Sequence, residues 1–178
     1  MVDHQRYSGI VVLGVCGVGK STVGQLLAAT LGWEFVEADG FHSKVAKEKM
    51  SRGVGLADND RGPWLTAINQ TLKEQPTQWV LACSALKHRY RETLTDQLPG
   101  VALVWLHGNE DLLRLRLRRR ESHHAGESLL ESQLADLEPP VGCLQLDVVH
   151  EPQALVREIV THLSPGLALK RPVLISDA

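Results

Sequence analysis

The sequence predicts an α/β fold built on a parallel β-sheet. Three observations carry that prediction. Short apolar runs alternate with helical patterns along most of the chain, which is the order of βαβ units. The first run, GIVVLGV (9–15), is apolar without alternation, as in a strand covered on both faces. A glycine-rich turn then leads directly into a helical pattern, the strand–loop–helix order of a phosphate-binding unit.

After that turn, Val23, Leu26, Leu27 and Leu31 share a helical face, and Gly32 supplies a stop. EFVEA (34–38) is a short second strand. SKVAKEKMS (43–51) reads as a charged helix. RGPWLTAINQTLKE (61–74) reads as a second one, with Pro63 near its first turn. WVLACSA (79–85) is the third strand, and the helix that follows runs to Pro99-Gly100. VALVWL (101–106) is the fourth. EDLLRLRLRRRE (110–121) is read as helix, although its alternation also mimics a strand. SLLESQLADLE (128–138) sets Leu130, Leu134 and Leu137 on one face and stops at Pro139-Pro140. CLQLDV (143–148) is the fifth strand, and Pro152 opens a last helix with Leu155, Ile159 and Leu163 on one face.

At 178 residues the chain has the size of one domain, 1–178, and can bury a core. Its net charge of -2 provides no global field for nucleic acid or membrane, and no apolar run has the length of a membrane span. Cys16, Cys83 and Cys143 lie far apart without a C-x-x-C pair, which fits a reducing cytoplasm rather than a disulfide framework or zinc knuckle.

In a parallel sheet, ligands bind beyond the carboxyl ends of the strands, so the residues after each strand matter most. GVCGVGKST (14–22) follows the first strand and matches G-x-x-x-x-G-K-[ST]. Its backbone, from Gly14, Val15, Cys16, Gly17, Val18 and Gly19 to Thr22, can turn N–H groups onto phosphates, helped by the helix dipole. Lys20 can reach the β and γ phosphates of a nucleotide, and Ser21 can ligate Mg²⁺. No base-reading N-K-x-D is present, and the third and fourth strands end without an acid. The acids follow the second strand instead. If that segment is extended, Glu37 and Asp39 point the same way. One can orient the magnesium shell through water, and the other can take the proton of an attacking hydroxyl.

Cations cluster after these acids. Arg61, beside Trp64, offers a planar fork to a carboxylate or phosphate, and Asp60 is placed to cap the helix that follows. Lys87 and Arg91 lie one helical turn apart in CSALKHRYR, behind Ser84. RLRLRRR (114–120) holds five arginines but has no aromatic stacking partners nearby. Arg116 and Arg120 share a helical face and suit charge neutralisation over a triphosphate, whereas Arg114, Arg118 and Arg119 read as solvated. His123 and His124 lack metal-ligand company.

Taken together, GVCGVGKST, EADGFH, the KM pair at 49–50, RGVGLADNDRGPWL, CSALKHRYR and LLESQLADLEPP make the chain resemble the gluconate kinases. The resemblance runs from about Ile10 to Leu163. It implies a P-loop, nucleoside-kinase-like fold with five parallel strands in the order 2-3-1-4-5 and a lid at about 116–128. It implies ATP and Mg²⁺ as requirements, D-gluconate as the small-molecule partner, and a homodimer. It also implies Asp39 as the base. His42, Arg61, Lys87, Arg91 and His123 would face the sugar acid, and Arg116 and Arg120 would serve the lid. The chain departs from the family pattern at Ser43, Ala46, Gly55, Ala57 and Ser122-His123-His124. Residues 164–178 form an extension outside the resemblance.

Overall fold

The computed structural model describes residues 7–52, 54, 56–119 and 123–163. Five strands form one parallel sheet in the order β2-β3-β1-β4-β5: β1 Gly9–Leu13, β2 Glu34–Glu37, β3 Trp79–Cys83, β4 Val101–His107 and β5 Leu144–Asp147. The predicted fold class and strand order are both present.

The apolar strand β1 is central, and all five of its residues are buried. Its pleat divides the core. Ile10 and Val12 face one layer with Leu27, Leu106 and Ile159, while Val11 and Leu13 face the other with Trp64, Ile68 and Leu81. The first layer includes α1 Lys20–Leu31 and α7 Pro152–Leu163; the second includes α3 Asp58–Glu74 and α4 His88–Thr95. Helices α2 Lys44–Ser51, α5 Glu110–Arg118 and α6 His123–Asp136 surround the carboxyl ends of the strands.

Several boundaries differ from the sequence reading for local reasons. Strand β2 stops at Glu37 and tightens into a 3-10 turn, Ala38–Phe41, so Asp39 is not on an extended segment and the alternation argument ends before it. Helix α3 begins at Asp58, which puts Pro63 inside the helix rather than in its first turn. Asp60 does cap, but from the first turn: its carboxylate accepts the Ala57 N–H at 3.0 Å and pairs with Lys49 at 2.9 Å. Strand β3 ends at Cys83 because Ala85 takes a left-handed φ of 41°. Helix α6 starts earlier than expected, at His123. The proposed lid thus falls on the end of α5, the start of α6 and residues 120–122, the last outside the described residues. Gly55 and the 164–178 extension also lie outside them.

Candidate active site

The P-loop joins β1 to α1. Gly14 has φ 145°, and a Cβ there would lie 2.4 Å from the Leu106 carbonyl oxygen, so only glycine fits the crossing. Gly19 caps α1 in the left-handed conformation (φ 89°) without any side-chain cap. The first N–H groups of α1 are therefore left to an anion. Val15 and Val18 bury their side chains in the core, so their contribution to a ligand is backbone. Ser21 and Thr22 are exposed at the start of α1.

Lys20 Nζ donates to the Val15 carbonyl at 3.0 Å, which curls the side chain back over the loop. An ammonium has three donors, so the others remain for phosphate oxygens. Burial lowers the Lys20 pKa, and the nearby Asp39, Cys16, Cys83 and Glu37 oppose that shift. A partly desolvated cation gains most when a phosphate supplies the missing negative charge.

Beside the loop lies an open groove of about 330 Å³, with Gly17, Gly19, Thr22, Arg116, Arg119 and His150 among its walls. Arg116 is fixed there by a 2.6 Å donation to the Val148 carbonyl. Arg119, read from sequence as solvated, is brought to the same groove. Arg114 and Arg118 instead join α5 to α6 through Glu127, with Glu110 and Glu131 also engaged by Arg114. Arg120 lies outside the described residues, as does the side chain of His123.

A second, more enclosed cavity of about 90 Å³ opens between Lys20, Asp39, His42, Arg61, Ser84 and Gln133. His42 is buried and stacks on Trp64, with ring centroids 4.2 Å apart and planes 16° from parallel. Trp64 is anchored in turn by a 2.9 Å donation from Nε1 to the Ala38 carbonyl. His42 Nε2 stands 3.8 Å from Asp39 Oδ1, and Nδ1 has no partner among the described residues. Burial is the main cause of a lowered His42 pKa, so the ring is neutral at pH 7. A buried, unsatisfied nitrogen at a cavity wall is a ready partner for a ligand hydroxyl. Asp39 is exposed at the rim, and Glu37 is half-buried at the end of β2.

The three cations assigned from sequence to the acceptor have different surroundings. Arg61 lines the cavity; its Nη1 donates to the Tyr90 hydroxyl at 2.9 Å and to Asp136 at 2.8 Å. Lys87 does not line the cavity; it stands behind Arg61, pairing with the same Asp136 at 3.1 Å and lying 3.6 Å from Asp58. Arg91 is not brought to the cavity. It is buried and donates to the carbonyls of Ala85, Leu86 and Glu138 at 2.8–3.0 Å.

Gln133 and Asp136 were not singled out from sequence. Gln133 Oε1 accepts the Cys16 N–H of the P-loop at 2.6 Å. The QLAD spacing, which sets the two residues three apart on one helix, was the available signal.

A P-loop on a parallel five-stranded sheet, facing an acid and clustered cations across a small cavity, defines a small-molecule kinase of the P-loop class. Comparison with known proteins makes the assignment narrower. The shikimate kinase family model matches residues 16–163. A gluconokinase of Gluconobacter oxydans is 41% identical over 174 residues, covering 91% of this chain and 97% of the relative. The crystal structure of a gluconokinase from Sinorhizobium meliloti superposes with a TM-score of 0.82 at 41% identity, covering 90% of this chain and 93% of the other. A shikimate kinase from Acinetobacter baumannii, at 20% identity and TM-score 0.61 over 90% and 96% of the two chains, shares the fold. The chain belongs to the gluconokinase family, within the wider shikimate kinase group.

Proposed function

We propose that the protein is an ATP-dependent gluconokinase, transferring the γ-phosphoryl group of ATP to the terminal hydroxyl of D-gluconate to give 6-phospho-D-gluconate and ADP. The observation that carries this reading is one cavity shared by the P-loop lysine, Asp39, Arg61 and His42, whose Nδ1 has no partner among the described residues. Membership of the gluconokinase family supports gluconate as the acceptor. No helix among the described residues is long and apolar enough to cross a membrane.

The P-loop backbone and Lys20 hold the β and γ phosphates, and Arg116 and Arg119 flank the nucleotide side. Asp39 stands at the rim of the acceptor cavity and takes the proton of the attacking hydroxyl. His42 Nδ1 binds a polyol hydroxyl. Arg61 directs its unused N–H groups toward the sugar acid. We assign Ser21 and, through water, Glu37 to Mg²⁺. An exposed hydroxyl on the first turn of α1 and a carboxylate close enough to influence Lys20 suit an ion that takes most of its shell from phosphates and water. The ion would neutralise phosphate charge in the transition state. The span 116–128 acts as the lid that excludes water.

The test is ADP release with Mg-ATP and D-gluconate, shikimate, other sugar acids, nucleoside monophosphates or no acceptor. Gluconate-selective release is the expected result. Asp39→Asn should lower kcat by about 10²–10⁴-fold while ATP still binds. Release without acceptor selectivity would refute the gluconate reading, and wild-type turnover by Asp39→Asn would remove Asp39 from the mechanism.

A further inference from the structure

Arg61 and Lys87 converge on one internal carboxylate. Asp136 Oδ2 accepts from Arg61 Nη1 at 2.8 Å, and Oδ1 pairs with Lys87 Nζ at 3.1 Å. One cation on each oxygen is also how the carboxylate of a bound acid would bridge the pair. Each cation has a second tether. Arg61 keeps the Tyr90 hydroxyl at 2.9 Å, and Lys87 keeps Asp58 at 3.6 Å. Tyr90 itself donates to Asp58, which also pairs with Arg89. Asp136 is thus the member of the cluster that can leave while α3 and α4 still hold both cations.

Cavity size points the same way. The cavity volume is about 90 Å³. Small-molecule sites occupy about 300 Å³ or more, so a six-carbon acid requires a wall to move. Leu129 and Gln133 of α6 form one wall, and Asp136 lies one turn further along that helix. Its bridge to Arg61 and Lys87 pins α6 in place. Burial works against the Asp136 carboxylate, but the donations from Arg61 and Lys87 outweigh it and keep its pKa below the ordinary range.

We infer that Asp136 is an internal stand-in for the acceptor's carboxylate: it occupies Arg61 and Lys87, holds α6 against an undersized cavity, and is displaced when an acidic acceptor binds. This rests on the sugar-acid reading above. Binding then exchanges one carboxylate for another. Apparent affinity is scaled down to the fraction of molecules in which Asp136 is disengaged. A neutral polyol cannot make the exchange, so the Arg61–Lys87 pair selects for acids. The displaced helix also carries Gln133, whose side chain holds the Cys16 N–H of the P-loop, so acceptor occupancy reaches the nucleotide side.

Asp136→Asn tests this by calorimetry with D-gluconate in the absence of nucleotide, and by KM and kcat with gluconate and with the matching uncharged hexitol. The expected result is a gluconate Kd and KM lower by roughly three- to ten-fold, with a gluconate-to-hexitol preference that does not fall. Asp136→Glu, which keeps the charge, should not tighten binding. Glu158→Gln makes the same charge change at an exposed site on α7 and should leave Kd unchanged. A higher or unchanged Kd in Asp136→Asn overturns the inference, as does equal tightening in Glu158→Gln. In the wild-type protein, gluconate should speed hydrogen exchange in the last turn of α6, and unaltered or slowed exchange there also overturns it. Failure of the gluconate reading is distinguishable: the wild-type enzyme would then phosphorylate a different acid, with which the same comparison is made.

Discussion

Arg91→Met separates an architectural arginine from an acceptor-binding one. Arg91 donates to three backbone carbonyls, those of Ala85, Leu86 and Glu138. These bonds tie the turn after β3 to the segment after α6, and they hold the Ala85 carbonyl where that residue has φ 41°. A left-handed non-glycine residue persists only where its surroundings hold it. In the variant, the Leu86 carbonyl keeps the Glu138 N–H at 3.0 Å, and Glu138 is exposed enough for water to replace the lost donor. The Ala85 carbonyl has no second partner among the described residues, which costs about 1–3 kcal/mol. The other two bonds, made by a charged donor and partly replaced, add roughly 1–2 kcal/mol. Burial lowers the Arg91 pKa, so removing the charge returns part of that desolvation cost. The net loss is about 3 kcal/mol, or roughly 6–12 °C in Tm for a chain of this size. Differential scanning calorimetry and gluconate kinetics on the folded variant check this. Gluconate KM should stay within about three-fold, because the guanidinium does not line the cavity. Arg91→Lys should lose nearly as much Tm, since a single ammonium cannot reproduce the planar fork. An unchanged Tm with a KM raised ten-fold or more would refute the reasoning and return Arg91 to the acceptor.

Two further predictions concern the loop and the acid cluster. Gly14→Ala places a Cβ 2.4 Å from the Leu106 oxygen in a backbone region L-residues avoid; it should cost at least about 1–3 kcal/mol of stability and weaken ATP binding, measured by thermal melting and nucleotide titration. Asp58 is held at a pKa of about 2, below the ordinary 3.8, first by the Tyr90 hydroxyl and then by Arg89. Its folded-state pKa is depressed, so its contribution to stability is present above pH 3.8 and is lost as pH falls toward 2. Asp58→Asn should therefore flatten the acid limb of a Tm-against-pH curve between those values, and an unchanged slope would count against the cluster.

The parts of the fold and site legible in the sequence are those that depend on backbone geometry. Gly14, Gly19 and Lys20 announce the P-loop because that spacing, between a strand and a helix, wraps amides around an anion. The unbroken apolar run of β1 announces a central strand because both of its faces are covered. Asp39 was identified by residue type and position after β2, but the alternation argument used for it fails, since the chain turns into a 3-10 helix at Ala38. Charged side chains were less legible because an arginine's fork can be used by a ligand, a carboxylate or the backbone. Arg61, Arg91, Arg114 and Arg116 illustrate these different environments. Helical spacing favoured Arg120 over Arg119, yet the end of α5 brings Arg119 to the groove. Gln133 and Asp136 were missed because their roles depend on which helix faces which loop, and local periodicity does not carry that.

This distribution of labour gives α6 a particular importance. In the function proposed, the nucleotide side is built on β1, α1 and the end of α5, and the acceptor side on the turn after β2 and on α3. Helix α6 reaches both: Gln133 holds the Cys16 N–H of the P-loop, and Asp136 holds Arg61 and Lys87. It also follows the arginine-rich helix and is tied to it by Arg114 and Arg118 through Glu127. A shift of α6 by a fraction of a turn would loosen the P-loop contact and release Arg61 and Lys87 together, because both partners lie on one rigid element. Phosphoryl transfer requires the two sides to be assembled with water excluded, or ATP is hydrolysed without an acceptor. A single helix touching both sides meets that requirement more directly than two independent closures. The ion-pair ladder to α5 extends the same coupling toward the arginines of the nucleotide groove.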